Sequence, residues 1–479
     1  MSGQPLHHQW RKEIEAGTLL GPRMVVASQI VDGPTPLWPG SISVANESQA
    51  RQAVDQAKQA GADFIKVYTF LPRDAYFAIA DEPKKQRIPY ERRVPLSVTA
   101  EEASRAGQKS FEHLTGILPA CSTRSEELTE AARADLAEDV ASTPTFWGLH
   151  LHGLRQAMID TYSPKKAATL FALLKNNGTW QCPTLTLLRA LAFGKDPSFA
   201  DDPRVKYMPF QVRSGWNPEG LFGESAGDFS LARNEFQRDL EVVGQMQRSG
   251  VGILAGTDTL NPFCFPGFSL HDELGLLVRA GLSPMQALQT ATLNPARFLR
   301  QEKDLGTVEE GKVADLVLLD ADPLADVGNT KRIAAVIYGG KYFSRASLDQ
   351  MLSAAEVLAS RKSIAEIILK TIQQKDAAAA VKQYHELKNT QPAAYDFSEN
   401  ELVGLGYQLI GMQRLNDAIQ VFRLSVETYP QSYNTYDSLA EAYMDAGVRE
   451  SAIQNYEESL RLNPRNQNAV SQLKKLRAK

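Results

Sequence analysis

The sequence predicts an α/β protein that continues into a C-terminal all-helical segment. From about residue 11 to residue 300, segments with helical periodicity alternate with short apolar runs, as they do when βαβ units build a parallel sheet. From about Ser344 onward the strand-like runs vanish, and Ala, Leu, Gln, Glu and Lys recur at helical spacing. With 479 residues, the chain is therefore expected to form more than one domain.

The α/β part shows the same order of helix, glycine and strand at two places. Residues 47–60 have helical spacing and are followed, after a glycine, by a predicted buried strand at residues 63–68. Residues 231–249 are likewise followed, after a glycine, by a predicted strand at residues 251–258. A further helix is predicted to begin at Ser283, because an N-cap serine followed by proline is a typical helix start.

The composition argues against several classes of protein. The net charge of −4 comes from 52 basic and 56 acidic residues, which gives no general polycation for binding nucleic acid or an anionic membrane. The three cysteines are odd in number and widely spaced, so they indicate neither a disulfide framework nor a CxxC metal site. No apolar run is long enough to span a bilayer, and residues 1–15 lack the apolar stretch of a signal peptide. We expect a soluble protein, cytoplasmic by default, whose partners are small molecules or proteins.

One connection in the α/β part is much longer than ordinary loops. It covers residues 194–229 and is rich in Pro, Gly and aromatic residues. A lid over a pocket and a passive surface insertion would each account for it.

Three residues at the ends of predicted strands could carry chemistry. Lys66 lies in an otherwise apolar strand, where an amine is costly unless it is paired, neutralised or modified, although a strand-end lysine can also extend to solvent. His113 follows another apolar stretch, and a lone histidine is more often structural than a ligand. Asp258 ends the predicted strand at residues 251–258, a position that faces the catalytic mouth if the strand belongs to a barrel.

Taken in order, these motifs resemble the later metal-binding strands of the amidohydrolase superfamily. They read Phe-Ile-Lys66-Val, Phe-Glu-His113-Leu and Ala-Gly-Thr-Asp258-Thr. The sequences at 269–274, 291–296 and 306–323 are similar to the closing helices and β-strands of its imidazolonepropionase-like and prolidase-like branch.

The resemblance covers roughly residues 11–344. It implies an incomplete TIM-type (β/α) barrel of the metal-dependent hydrolase class over residues 1–300, lacking its first strand or strands. It also implies a β-sandwich remnant over residues 301–345.

The resemblance also implies a site. In the family, the lysine that corresponds to Lys66 is carboxylated and bridges two divalent metal ions, with zinc the expected metal. His113 would hold one metal ion, and Asp258 would bind the other and carry a proton to the leaving amine. The implied reaction is hydrolysis of an amide or cyclic amide C–N bond in a small molecule or dipeptide.

Other parts of the family pattern differ in this chain. The family has an HxH pair on its first barrel strand, whereas His7 and His8 are adjacent and would face opposite sides of a strand. The fifth-strand histidine is replaced by Arg93, and a guanidinium has no free lone pair for a metal. His150 and His152 spell HxH, but at another place in the chain order. We therefore expect weak or absent metal occupancy.

These differences leave three alternatives for the α/β part. It is a fragment of a longer gene product, or a second chain completes it, or it is a relic retained for the surface of the C-terminal segment. In any of these cases Arg93 could pair with a carboxylate such as Asp258.

A second resemblance concerns the helical segment. Four pairs of similar residues are each separated by 34 positions: Ala418 and Ala452, Phe422 and Tyr456, Pro430 and Pro464, and Leu405 and Leu439. This is the period of tetratricopeptide (TPR) repeats, and residues 376–392 look like a degenerate earlier repeat. We predict a TPR domain over residues 346–479, with both aromatic residues buried in stacked helical hairpins.

Two hypotheses for function follow. The first is a metal-dependent hydrolase of C–N bonds, and the second is a non-catalytic scaffold that binds a protein or peptide through its TPR segment. The lysine, histidine and aspartate motifs favour the first hypothesis. The absent HxH pair and Arg93 favour the second.

Overall fold

A computed structural model of the protein describes residues 3, 5–38, 40–137, 152–209, 212–213, 216, 229–464 and 466–478. The chain divides into two compact units. Unit 1 consists of Met1–Val205 and Gly215–Asp349, and unit 2 consists of Lys206–Ser214 and Gln350–Lys479. Within the described ranges, no helix combines the length and the apolar character needed to cross a membrane.

Unit 1 alternates strands and helices, and this confirms the predicted α/β class. Its strands are β1 (Ala27–Asp32), β2 (Ile42–Ser43), β3 (Phe64–Val67), β4 (Tyr90–Arg92), β5 (Ser110–Glu112), β6 (Trp180–Cys182), β7 (Leu316–Leu319), β8 (Ile333–Tyr338) and β9 (Lys341–Ser344). Its helices are α1 (Pro5–Glu15), α2 (Glu47–Gln59), α3 (Arg73–Gln86), α4 (Ala100–Ala106), α5 (Ile117–Cys121), α6 (Ser125–Ala137), α7 (His152–Asp160), α8 (Pro164–Asn177), α9 (Leu185–Phe193), α10 (Pro197–Ala200), α11 (Phe229–Ser249), α12 (Phe268–Arg279), α13 (Pro284–Ala291) and α14 (Leu293–Phe298). Short 3-10 helices cover Pro203–Tyr207 and Val327–Lys331.

The helix starts follow local capping rules. The Asn46 side chain accepts a hydrogen bond from the backbone of Gln49 and so begins α2. Ser283 and Gln286 form a reciprocal capping box at the start of α13, with proline at its first position. Both predicted helix starts are therefore confirmed.

Six strands form one parallel sheet in the order β2-β1-β3-β4-β5-β6. The main hydrophobic core surrounds this sheet, and Ile65, Val67 and Phe111 are completely buried in it. Burial of strand residues in this way is typical of parallel sheets that are covered on both faces. Because the strands run parallel, their carboxyl ends lie along one edge of the sheet, and side chains at that edge can share a site.

The predicted strand at residues 251–258 is wrong in extent. It pairs with β6 only through an isolated bridge between Ile253 and Gln181. The Ile253 carbonyl accepts a hydrogen bond from the Asn294 side chain, and the Ala255 backbone donates to the Thr290 carbonyl. Because these backbone groups bond to the helices that follow, they are not available for a continuous ladder.

A small antiparallel sheet follows the parallel one in the chain. It has the order β7-β8-β9, and Leu316 on β7 pairs with Ile337 on β8. Gly339 and Gly340 form the turn between β8 and β9, and both have positive φ, which glycine adopts without strain.

Unit 2 is mainly helical. Helix α15 (Arg345–Ala359) leads into it from unit 1, and its other helices are α16 (Ile364–Gln374), α17 (Ala377–Thr390), α18 (Glu399–Gly411), α19 (Leu415–Thr428), α20 (Tyr433–Asp445), α21 (Arg449–Leu462) and α22 (Gln467–Ala478).

The prediction that strands vanish after Ser344 is wrong at one place in unit 2. Two short strands, β10 (Lys362–Ser363) and β11 (Tyr395–Asp396), pair in parallel. Strand β10 lies immediately before α16, and β11 lies shortly before α18. The chain is extended at both places. The Ser363 hydroxyl caps α16 and donates a hydrogen bond to Glu401 in α18, which holds these two helix entries together.

The helices of unit 2 repeat with the period found in the sequence. Helix α20 begins and ends 34 residues after α18, and α21 begins and ends 34 residues after α19. Helix α18 packs on α19, and α20 packs on α21. Phe422 and Tyr456 are both completely buried, as are Ala418 and Ala452. The predicted burial of these residues is therefore confirmed.

Candidate functional site

The carboxyl ends of β3, β4 and β5 place Lys66, Arg92 and Glu112 along one edge of the parallel sheet. The register aligns Val67 with Arg92 and Arg92 with Phe111. His113 follows β5 directly and Arg93 follows β4 directly. The edge therefore carries most of the residues that the sequence singles out.

Lys66 is buried on β3, with 7% of its surface exposed. Its amine makes no hydrogen bond or ion pair with a residue that the structure describes, and its nitrogen lies 6.0 Å from the centre of the Tyr68 ring. Burial and, to a smaller extent, the nearby Arg92 guanidinium lower the pKa of Lys66 to about 8, although Asp258 and Glu112 oppose the shift. A substantial fraction of this amine is therefore neutral at physiological pH.

His113 has a fixed orientation. Its Nδ1 lies 2.7 Å from the Thr184 hydroxyl, which itself donates to the Pro183 carbonyl. Nδ1 is therefore the protonated nitrogen, and Nε2 carries the lone pair. Burial lowers the pKa of His113 to about 3, and the charges of Arg93 and Arg92 act in the same direction, so the ring is neutral.

Asp258 lies beside this lone pair. Its Oδ2 is 3.6 Å from His113 Nε2, and it accepts a hydrogen bond of 2.8 Å from the Asn261 side chain. Burial alone would raise the pKa of Asp258, but nearby positive charges, those of Arg92 and Lys66 among them, outweigh it and hold the pKa below its ordinary value. The side chain is therefore a carboxylate at neutral pH. The structure brings His113 and Asp258 together at the sheet edge.

The arginine that reaches Asp258 is Arg92, not Arg93. Arg92 forms an ion pair with Glu112, and its Nη1 lies 3.9 Å from Asp258 Oδ1. The Arg93 guanidinium lies 4.8 Å from the centre of the Tyr68 ring and 3.5 Å from the Thr69 hydroxyl. Of the two arginines, it is Arg92 that the structure places beside Asp258, where the sequence suggested Arg93 as one possible partner. Arg92 has a φ of 99°, which ends the regular alternation of side chains along β4.

The described residues do not complete the two-metal centre that the resemblance implies. Within the described ranges, no three His, Cys, Asp or Glu side chains are grouped so as to share a metal ion. Two ligand atoms of one tetrahedral zinc ion lie about 3.4 Å apart, and His113 and Asp258 have a similar spacing. Catalytic zinc, however, takes three protein ligands. Arg92 adds a positive charge beside them. A metal centre at this edge would need ligands beyond these two.

Sequence reasoning missed Arg92, Glu112 and Thr184. Glu112 and Arg92 each directly precede a position that the sequence singles out, His113 and Arg93. The ion pair between Arg92 and Glu112, however, depends on strand register. Thr184 is 71 residues from His113 in the chain, and nothing in its sequence surroundings indicates the contact.

Two further predictions concern residues that the structure describes only in part. His150 lies outside the described residues, and only the backbone of His152 is described, at the start of α7. Residues 217–228 of the predicted lid or insertion also lie outside the described residues.

A cavity of about 780 Å³ borders the site. Thr69, Arg93 and His113 contribute to its wall near the strand ends, and α5, α6, α9 and α11 contribute apolar side chains. This volume is in the range of small-molecule sites. Of the edge residues, Arg93 and His113 therefore face a space that a ligand of moderate size could occupy.

Comparison with known proteins agrees with this architecture. The sequence profile described as "Amidohydrolase family" matches residues 96–342, just over half of the chain. The matched range includes His113 and Asp258.

Curated relatives match over shorter stretches. The chain is 33% identical over 103 residues to a 5-methylthioadenosine/S-adenosylhomocysteine deaminase of Thermoanaerobacter pseudethanolicus, a match that covers 20% of this chain and 24% of that protein. It is 35% identical over 102 residues to an imidazolonepropionase of Pseudomonas fluorescens, which covers 21% of this chain and 24% of that protein. The matches thus span about a quarter of these relatives' length.

A solved structure is similar over a larger part. The bottromycin amidohydrolase has a TM-score of 0.55 and 23% sequence identity, over 74% of this chain and 73% of that one. At this identity the likeness concerns the fold. Because the family profile covers more than half of the chain and the parallel α/β core agrees with it, the protein belongs to the amidohydrolase family.

Proposed function

We propose that the protein is a hydrolase of amide or cyclic amide C–N bonds in a small molecule or dipeptide, with its reacting centre at the strand ends of unit 1. The observation that carries this proposal is the 3.6 Å approach of His113 Nε2 to Asp258 Oδ2 beside a ligand-sized cavity. The relatives named above include a deaminase and an imidazolonepropionase, whose names denote action on C–N bonds.

Asp258 is proposed to carry the proton in this reaction. A water molecule adds its oxygen to the carbon of the C–N bond, and the Asp258 carboxylate accepts the proton that the water loses. Asp258 then delivers that proton to the leaving nitrogen as the C–N bond breaks. The low pKa of Asp258 keeps it ionised and able to accept the proton at neutral pH.

The amidohydrolase family is generally metal-dependent, and its metal supplies a nucleophilic water and an electrophile. We propose that Lys66 is the residue that becomes carboxylated, as in the family. Its burial, its lack of a hydrogen-bond partner among the described residues and its pKa of about 8 support this, since a neutral amine is the form that reacts with carbon dioxide. His113 and Asp258 are the other proposed ligands.

The architecture is proposed to be an incomplete TIM-type barrel over residues 1–300, with β7–β9 as a β-sandwich remnant and a TPR domain over residues 346–479. The parallel order of β1 and β3–β6, with the segment at Ile253 next to β6, supports the barrel. The 34-residue offset of the helices supports the TPR assignment.

Metal content and hydrolysis, measured together, test this function. The purified protein is dialysed with zinc, its bound metal is counted, and hydrolysis of an Xaa-Pro dipeptide and of an imidazolone is measured. We expect the unmodified chain to retain less than one metal ion and to hydrolyse slowly, because His113 and Asp258 alone are too few ligands. Arg93→His supplies a ligand and removes a charge, so we expect at least a tenfold gain in metal affinity.

The exposed Arg105 on α4 provides the matched control, since Arg105→His adds a histidine elsewhere in unit 1 and should change neither quantity. Asp258→Asn placed on the Arg93→His background should abolish the gain in hydrolysis. Two tightly bound metal ions in the unmodified chain would contradict the expected weak occupancy. Absence of hydrolysis in every variant would favour the second function.

The second candidate is a non-catalytic scaffold that binds a protein or peptide through the helices of unit 2. The specific observation in its favour is Arg92, whose guanidinium lies where it repels a cation bound to Asp258. Under this alternative, Arg93→His would leave metal binding and hydrolysis unchanged.

A further inference from the structure

Asp239 is a buried carboxyl group that the proposed chemistry does not use. It lies on α11 with 6% of its surface exposed, and it lines the cavity beside the site. No hydrogen bond or ion pair joins it to any residue that the structure describes. Burial raises its pKa well above the ordinary value, and the neighbouring Glu235 carboxylate raises it further. A buried carboxyl group without a partner is costly, and this cost points to a ligand.

The groups around Asp239 are negative on balance. Glu235 lies one helical turn earlier on α11 and also lines the cavity. Its Oε2 accepts a hydrogen bond of 2.7 Å from Arg155 Nε. One guanidinium thus faces two carboxyl groups, and a further positive charge would favour the ionised form of Asp239, which burial and Glu235 disfavour.

The other basic groups at the cavity wall are already engaged. Arg133 pairs with Glu130 at 2.9 Å and approaches Glu102 at 3.8 Å. Arg93 lies against the Tyr68 ring. An anionic ligand would have to compete with these partners, whereas a cationic ligand next to Asp239 would displace none of these contacts.

Much of the rest of the wall is apolar, although Glu101 and Glu126 also line it. Side chains of Leu118, Leu128, Met158, Leu188 and Phe236 line the cavity and are buried. A ligand that fills about 780 Å³ must therefore present mostly hydrocarbon surface.

We propose that this cavity binds an amphipathic organic cation, with its ammonium group next to Asp239 and its apolar body against the leucine, methionine and phenylalanine side chains. Binding of such a molecule does not depend on the proposed hydrolysis. Its role as a substrate does rest on that proposed function, since the strand-end residues Arg93 and His113 line the same cavity.

Titration calorimetry of the full chain at neutral pH, with n-octylamine as the probe, tests the proposal. Octan-1-ol serves as an uncharged probe of the same length. We expect octylammonium to bind at least tenfold more tightly than octanol. Asp239→Asn keeps the shape but cannot ionise, so it should weaken octylamine binding at least tenfold and leave octanol binding unchanged.

Two further variants serve as controls. One tests whether any loss of a carboxylate on α11 weakens binding, and the other tests whether the probes bind inside the cavity. Glu241→Gln, at an exposed position of the same helix, should bind both probes as the unmodified chain does. Leu188→Trp fills the cavity and should abolish binding of both probes. Equal binding of the two probes, or octylamine binding that survives Asp239→Asn or Leu188→Trp, would overturn the proposal.

The comparison of octylamine with octan-1-ol uses the unmodified protein. It therefore tests whether the cavity prefers a cation even where a variant fails to fold. It also needs neither metal nor turnover. If octylamine binds but neither the Xaa-Pro dipeptide nor the imidazolone is hydrolysed, only the proposed function is refuted. If either compound is hydrolysed but octylamine does not bind, only the cation site is refuted.

Discussion

At the residue scale, the candidate site combines three side chains whose backbone is left-handed. Arg92, His113 and Asp258 have φ values of 99°, 57° and 48°. Such conformations are uncommon for residues with a side chain and are found often at functional sites. Each lies at or just beyond the end of a strand or extended segment, where the backbone turns away from the sheet. The turns direct all three side chains to the same small region.

The buried Glu91 gives a prediction for stability against pH. It lies on β4 with 8% of its surface exposed, and burial raises its pKa from 4.5 to about 8, with Glu112 adding to the effect. Between these two pH values the unfolded chain is ionised at this residue while the folded chain keeps the proton. The free energy of unfolding should therefore fall as pH rises from 4.5 to 8, by up to about 1.4 kcal/mol per pH unit.

Glu91→Gln removes this titration and should flatten the pH dependence in that window, as measured by urea unfolding at a series of pH values. The exposed Glu126 provides a control, because Glu126→Gln should keep the slope of the unmodified chain. An unchanged slope in Glu91→Gln would show that Glu91 does not hold a proton in the folded state.

A sequence indicates candidate site residues more readily than the contacts between them. Lys66, His113 and Asp258 were recognised because each follows or interrupts an apolar run, and chain-local patterns of that kind are visible in a sequence. The Arg92–Glu112 pair and the His113–Thr184 contact depend on strand register and on positive φ. Neither has a sequence signal, since residues other than glycine rarely adopt such a φ.

At the scale of the element, Gly404 and Gly406 of α18 lie in different surroundings. A Cβ atom on Gly406 would lie 2.3 Å from the Phe422 ring, whereas nothing lies within 4 Å of the corresponding position on Gly404. Gly406→Ala should destabilise unit 2 by about 1–3 kcal/mol, because the ring has to move. Gly404→Ala should instead stabilise it by about 0.5–1 kcal/mol, through the higher helix propensity of alanine.

Urea unfolding followed by circular dichroism measures both changes, and each variant is the control of the other. Equal stabilisation by the two alanines would mean that the Phe422 ring is not packed against Gly406 in solution.

Element boundaries were predicted well where capping and periodicity act within the chain, as at Asn46 and Ser283. They were predicted poorly where hydrogen bonds come from distant elements. The segment at residues 251–258 has the composition of a strand, but Asn294 and Thr290 take its backbone bonds. The short β10–β11 pair arises because two helix entries run side by side, and two-residue strands have no periodicity to detect.

At the scale of the whole molecule, the chain has separate hydrophobic cores. One surrounds the parallel sheet of unit 1, and others lie among the helices of unit 2. Ile65 and Ile368 are completely buried, one in each unit. All five tryptophans belong to the chain ranges of unit 1, so tryptophan fluorescence reports unfolding of that unit.

Ile65→Ala and Ile368→Ala should each cost about 2–5 kcal/mol in the unit that contains it. We expect Ile65→Ala to lower the midpoint of the fluorescence transition and Ile368→Ala to leave it unchanged. Circular dichroism should detect both losses. If Ile368→Ala shifts the fluorescence transition as much as Ile65→Ala does, the two units unfold as one cooperative system.

The 34-residue offset between the helices of unit 2 limits how this segment can change length. Inserting a single residue within a helix turns every later side chain by about 100° around the axis, which moves buried positions to the surface. Duplicating or deleting a block of 34 residues brings each position to the place of its counterpart, as Phe422 and Tyr456 illustrate. Relatives with a similar C-terminal segment should therefore differ from this chain in whole multiples of that block, and the exposed surface of the segment should lengthen in the same steps.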